Sequence, residues 1–442
     1  MRNSSVTKIE AVEARRIWDS RGRPTVEVEV RLTGGHRGRG IAPAGASRGS
    51  REAWDLRDGG PALRGMDVQM ALAAVRDRIG PALIGIDASD PRAADSVITS
   101  LDPSLLKKDL GGNATVATSM AVLHAAAAAA RKPLWRLVAD QHDRRPAIPL
   151  PEIQIFGGGA HAGRRVDIQD FMIMVPGADS FDEVMEVTSE VYFAAGDIMK
   201  QRGKLAGVAD EGGWWPSFDS NEEALETLTL AIEKASEKPG ERVVISLDVA
   251  ASEFCRNGRY RLALEDRDMD TATLIDLLGR WIDSYPIVSI EDPVSENDPD
   301  GMVEFTRRFG GRVQIIGDDY LVTNAALVDQ AADIGACNAV LIKVNQAGTV
   351  SEAIAANEAA DRAGYRSVIS ARSGETEDVT ISHLATGLGT GQLKVGSFTR
   401  SERMAKWNEC LRIQDELGVN SFVGGAPLTD TWWGKKERER RT

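Results

Sequence analysis

Between residues 25 and 32 the chain alternates apolar and polar side chains (TVEVEVRL), the period-two pattern of a half-buried strand entered through a turn at residues 20–24. A glycine-rich stretch, residues 33–49, follows, and then the period lengthens. Residues 68–78 and 115–131 carry helical spacing, the second segment bounded by Pro133. Six consecutive alanines, Ala125–Ala130, favour helix and permit close packing. Three prolines in RRPAIPLP (residues 144–151) mark a boundary, so residues 1–143 are predicted to form an α+β domain. Beyond it, short apolar runs recur, each ending in a polar or charged group: VVISLD to Asp248, IVSIED around Glu291, VQIIGD to Asp318, AVLIKVN around Lys343, RSVISAR to Arg372 and QLKVGS around Lys394. Helical patterns at 271–285, 323–334 and 349–363 separate them. Buried parallel strands alternating with helices predict a β/α barrel over residues 144–433, and an α/β protein as a whole. Residues 434–442 (GKKERERRT) read as a charged, solvated and frayed tail.

Composition narrows the partners. The 442 residues carry 53 Lys and Arg against 66 Asp and Glu, a net charge of −13, which argues against nucleic acid or an anionic membrane surface. No apolar run approaches the roughly 18 residues of a membrane-spanning helix, and the first twenty residues lack a secretory segment. Cys255, Cys337 and Cys410 form no CxxC pair and suit a reducing compartment, so a cytoplasmic location is expected.

Active sites of β/α barrels sit at the C-terminal ends of the strands, which turns the terminal residues into one constellation. Asp248, Glu291 and Asp318 repel one another unless a cation neutralises them, and an all-oxygen set favours Mg²⁺. Taken singly, each acid can equally cap a helix or pair with an arginine. None of the five histidines lies at these ends, which disfavours a zinc-type site. Lys343 and Lys394 point at the same mouth. Beside a cation and desolvated, a lysine has its charged form disfavoured and acts as a base; the plainer alternative is an ion pair with the acids. Arg372 and Ser373 suit a phosphate or carboxylate. Together these groups fit proton abstraction next to a carboxylate, with the metal stabilising an enediolate.

The sequence resembles the enolase family over almost its whole length. The matching stretches include DSRGRPTVEVEV (19–30), GAS (45–47), GGAHAG (158–163), QDFMIM (169–174), DEGG (210–213) and LDVAASEF (247–254). They continue through SIEDP (289–293), GDDYLVTN (317–324), LIKVNQAGT (341–349), SGETED (373–378) and RSERMAKWN (400–408). The resemblance implies an N-terminal α+β cap and an enolase-type (β/α)8 barrel whose first units depart from regular βα order. It implies that Asp248, Glu291 and Asp318 hold a tight Mg²⁺ and that Lys343 is the base, a pairing characteristic of that superfamily. Lys394 is implied to hold the substrate carboxylate, with Gln169 in the adjoining substrate-binding stretch, and Arg372 and Ser373 to hold the phosphoryl group. Glu211 is implied to assist departure of the leaving group, with Asp170 and His161, the latter on another closing loop, as further catalytic residues. Ser47, on the glycine-rich loop, is implied to help hold a second Mg²⁺. The family also implies a homodimer or higher homo-oligomer, with Glu27 and Arg412 matching an interface ion pair.

The departures from the family pattern cluster on one side of this site. SHRSGETED has become SARSGETED, with Ala371 for histidine; the glutamate after Gln169 is Asp170; SGAST has become AGASR, with Ala44 and Arg48. Gly157 stands for asparagine, Ala209 for glycine, and Trp214 and Trp215 follow DEGG. The enolate-forming half is kept and the leaving-group half is altered. A new cation and two indoles suit a differently placed anionic group, Arg48 pairing with it and an indole stacking on it. The departures resemble the family's carboxyphosphonoenolpyruvate synthase branch, of phosphinate natural-product pathways. The expected substrate is therefore a small phosphorylated or phosphonylated acid. Ordinary hydration chemistry, interconverting 2-phosphoglycerate and phosphoenolpyruvate, is the alternative, and a non-catalytic binding scaffold is a third reading.

Overall fold

The computed structural model describes residues 6–46 and 48–441. An antiparallel sheet of β1 (Ile9–Trp18), β2 (Pro24–Leu32) and β3 (Arg37–Ile41) opens the chain. The predicted strand at 25–32 is the central one. Its outer neighbour, RGRGI, places Gly38 and Gly40 against the helix Gly112–Ala130. A Cβ at Gly38 would lie 2.1 Å from Ala125 N, and one at Gly40 would lie 2.4 Å from Ala117 O. Alternate glycines on the strand thus let the two backbones approach closely, at Ala117, Ala121 and Ala125 of the helix.

Eight further strands close into a barrel: β4 (Leu150–Gly157), β5 (Asp170–Met174), β6 (Val244–Asp248), β7 (Ile287–Glu291), β8 (Gln314–Gly317), β9 (Ala339–Ile342), β10 (Arg366–Ser370) and β11 (Gly391–Ser397). Pairing of β11 with β4 completes the ring. All are parallel except β5, which runs antiparallel to β4 and β6. The chain between β4 and β5 holds only a short 3₁₀ turn, Gly159–Ala162, so it returns as a hairpin instead of crossing through a helix. Reversal brings the first residue of β5, Asp170, opposite the last residue of β6, Asp248. It thus adds an acid to the mouth from a strand's beginning.

Residues 434–441, expected as a frayed tail, belong instead to the helix Trp432–Arg441. Two indoles in its first turn dock it under the barrel. Trp432 Nε1 donates to Ile287 O at 2.6 Å and Trp433 Nε1 to Glu241 O at 2.6 Å, with Trp433 packed on Leu150, Met174 and Val244. Among the described residues no helix is long and apolar enough to cross a membrane.

Candidate active site

Register places the predicted residues. Asp248 and Glu291 end β6 and β7 and stand opposite one another. Asp318 and Lys343 directly follow β8 and β9, Arg372 and Ser373 follow β10, and Lys394 lies within β11, opposite Glu152 of β4. A cavity at the strand ends is lined by His161, Gln169, Asp170, Glu211, Asp248, Lys343, Ala371, Arg372, Ser373 and Lys394.

Both lysines are engaged by acids. Lys394 Nζ lies 2.9 Å from Asp248 Oδ2, 2.8 Å from Glu291 Oε2 and 3.6 Å from Asp170 Oδ2. Lys343 Nζ lies 2.5 Å from Asp318 Oδ2, whose partner oxygen accepts from Gln346 Nε2 at 2.8 Å. Burial, the largest single influence, would lower the Lys343 ammonium, but Asp318 and Glu291 together raise its pKa. Lys394 goes the same way, held well above its usual range by Asp248 and Glu291 against burial. At both lysines, opposite charges at contact distance together overcome desolvation. The reciprocal effect appears on the acids. Burial raises Asp248, yet Lys394 pulls it to about 2, while burial and the adjoining Asp248 push Glu291 well above its ordinary value.

The donor set fits a hard divalent cation. Asp248, Glu291 and Asp318 are all buried, all offer oxygen, and Glu291 Oε1 has no hydrogen-bond partner. Their oxygens are not, however, the groups that cluster most tightly. Among the described residues, donor atoms within 4.8 Å of one another belong to His161, Asp170 and Glu211, and to Asp292, Asp318 and Asp319. Lysines wedged between the three expected ligands account for this difference.

Also lining the cavity, His161 approaches Glu211, Nδ1 to Oε1 at 3.4 Å. Burial raises Asp170 to about 6, with His161 opposing and Glu211 reinforcing the shift; Glu211 itself is lowered, burial being overcome by His161 and Arg403. Gln169 donates to Asp248 Oδ2 at 3.0 Å and leaves its buried Oε1 without a partner at the cavity. Arg372 is gripped by Glu52, at 3.2 and 3.3 Å, and by Asn345 Oδ1 at 3.0 Å. Ser373 Oγ accepts from Ala46 N at 3.0 Å, and Ala44 pairs with Gly374, so the glycine-rich loop is laced to the strand end after β10.

Residues 145–431 match the family described as Enolase, C-terminal TIM barrel domain, and residues 9–138 match Enolase, N-terminal domain. The chain belongs to the enolase family. It is an enzyme scaffold of the enolase superfamily, and its acidic clusters are compatible with a divalent metal.

Set against that family, the departures fall at different distances from the cavity. Ala371 lines it and Asp170 faces it. Arg48 is exposed, its guanidinium 6.0 Å from the Trp54 ring, and is not among the lining residues; Ser47 lies outside the described residues. Trp214 stacks on Tyr192 at 4.6 Å and donates to Tyr192 O, so it is packing and not a platform for ligand. Trp215 sits under Arg165, beside the loop that carries His161. Glu27 and Arg412 are engaged within the chain, by Arg15 and by Glu409. Glu52, Asn345, Gln346 and Gln154 are participants that sequence reasoning missed. For Gln154 a signal existed: EIQ within an otherwise apolar strand puts two polar side chains, Glu152 and Gln154, on the barrel interior.

Proposed function

We propose that the protein is a Mg²⁺-dependent, enolate-forming enzyme acting on a phosphoglycerate-like acid, specialised as a carboxyphosphonoenolpyruvate synthase. The observation that carries this reading is the division of the cavity. Among its lining residues Lys343, Lys394 and Asp248 keep the family's pattern, whereas Ala371 and the short acid Asp170 depart from it. Bound Mg²⁺ would supply the positive charge that stabilises an enediolate. Asp248, Glu291 and Asp318 would hold it. Lys343 would take the α-proton, Lys394 and Gln169 would orient the carboxylate, and Arg372 with Ser373 would receive the phosphoryl or phosphonyl group. Without a ring at position 371, the lining would leave room for a group differently placed from a simple leaving hydroxyl. Partnering as a homodimer or larger homo-oligomer belongs to the same proposal.

A second reading, dehydration of 2-phosphoglycerate, is favoured by the approach of His161 to Glu211 at 3.4 Å, which keeps an acid–imidazole pair where a hydroxyl would depart. The test is purified protein with Mg²⁺ and 2-phosphoglycerate in deuterated water. Exchange of the α-proton without elimination is the expected result. Rapid conversion to phosphoenolpyruvate would establish the second reading and sink the first, and absence of exchange would return the fold to a binding role.

A further inference from the structure

Gln154 is wholly buried on β4, and each polar atom of its amide is used. Its Oε1 accepts from Gly213 N at 2.9 Å; its Nε2 donates to Asp170 Oδ1 and reaches Glu211 Oε2 at 3.4 Å. The Gly213 N–H can face only the amide oxygen, which fixes the flip and turns the NH₂ group toward the two acids. The space around this amide is exclusive. A Cβ at Gly213 would lie 2.3 Å from Gln154 Oε1; a Cβ at Gly157 would lie 2.7 Å from Ala209 Cβ and 3.1 Å from Gln154 Oε1. A side chain at position 157 would therefore displace both the Ala209 methyl and the amide. A glutamate at position 170 would extend its carboxylate by one bond, about 1.5 Å, into the volume that Gln154 Nε2 fills.

We propose that Gln154 is a positioning residue that ties Asp170 and Glu211 into one fixed pair, and that Gly157, Ala209 and the short acid Asp170 are the linked conditions for its fit. Three departures that look independent in the sequence become one packing unit. The proposal rests on the reading of Asp170 and Glu211 as groups that act on the substrate opposite Lys343. It adds that their geometry comes from an amide and not from a water or a longer acid.

The experiment compares Gln154→Ala, Gln154→Asn, Asp170→Glu and the double variant Gln154→Asn/Asp170→Glu. Substrate turnover, α-proton exchange and thermal unfolding are measured on each. Gln154→Ala should lower kcat for the complete reaction by about 100-fold, the loss typical of misplacing a reacting group by an ångström, while leaving KM and α-proton exchange within about threefold. Asp170→Glu alone should lose as much, and adding Gln154→Asn should restore at least about tenfold of it, a coupling that two independent sites would not show. Additive losses in the double variant would overturn the proposal, as would equal losses of exchange and turnover in Gln154→Ala. Should the wild-type protein exchange no α-proton from 2-phosphoglycerate, the functional reading fails separately. The unfolding data still decide the packing claim, because Asp170→Glu must then destabilise more with Gln154 present than in the Gln154→Asn background.

Discussion

Arg372 shows how a single side chain can be oriented before any ligand arrives. Its guanidinium and the Glu52 carboxylate are both almost wholly buried and meet through two hydrogen bonds, one partner from the barrel and the other from the end of the glycine-rich loop. Glu52 feels two opposed influences, burial raising its pKa and Arg372 lowering it, with burial the larger. Glu52→Gln keeps the shape but presents an NH₂ group to one guanidinium nitrogen. Leaving one partner of a buried pair short of its counter-charge costs about 3–5 kcal/mol in severe cases. Asn345 retains one of the contacts, so the expected loss is about 2 kcal/mol, read as a lower urea midpoint at unchanged m-value. An unchanged midpoint would mean that Arg372 is held without help from Glu52. At this scale the sequence was readable wherever a residue closes a strand, because barrel register sends that residue to the mouth. It was not readable for Glu52, a loop acid with no periodic neighbour, whose partner lies 320 residues away.

At the scale of elements, the alternation of apolar runs and helical patterns was enough to expect the barrel, since burial on both faces leaves few other homes for such strands. Two features escaped it. The reversal of β5 is decided by the length of the connection before it, and the docking of the C-terminal helix by two tryptophans that precede the charged run. The joint between cap and barrel offers a pH test. Asp95, on the cap helix Pro91–Leu101, accepts from Ser351 N at 2.9 Å and Ser351 Oγ at 2.6 Å, at the start of the barrel helix Val350–Ala363. Burial raises its carboxyl to about 6, the Ser351 hydroxyl only partly offsetting the shift. A carboxyl raised in the folded state holds its proton where the unfolded chain has already lost it. Its share of stability is therefore full below about pH 4, falls as the pH rises toward about 6, and stays lost above. Asp95→Asn should flatten this segment of the stability profile and exceed the wild type at pH 8 by up to about 2 kcal/mol, since two pKa units correspond to at most about 3. Denaturant titrations at pH 4, 6 and 8 read it directly, and a parallel shift at all three would contradict the assignment.

For the molecule as a whole, a net charge of −13 and the proposed anionic substrate look opposed, and distance decides which charges matter. At physiological ionic strength the Debye length is about 8 Å, so the outer surface contributes little and the groups in the cavity dominate. There the carboxyls of Glu52, Asp170, Glu211, Asp248, Glu291 and Asp318 outnumber the cations Lys343, Arg372 and Lys394, and each of these cations already has an acidic partner. A phosphorylated acid entering this arrangement would have to break those pairs and face the released carboxylates. A divalent cation held by Asp248, Glu291 and Asp318, as proposed, would neutralise the carboxylates that pair with Lys343 and Lys394; that would leave the Lys394 ammonium for the substrate carboxylate and favour the neutral amine that Lys343 needs as the base. Metal should therefore bind first. In calorimetry, 2-phosphoglycerate titrated into protein with EDTA should bind at least about 100-fold more weakly than in saturating Mg²⁺, and by linkage saturating acid should tighten Mg²⁺ by the same factor. Equal affinity with and without Mg²⁺ would mean that the lysine–carboxylate pairs survive substrate binding, and that the acid is held by Arg372 and Ser373 alone.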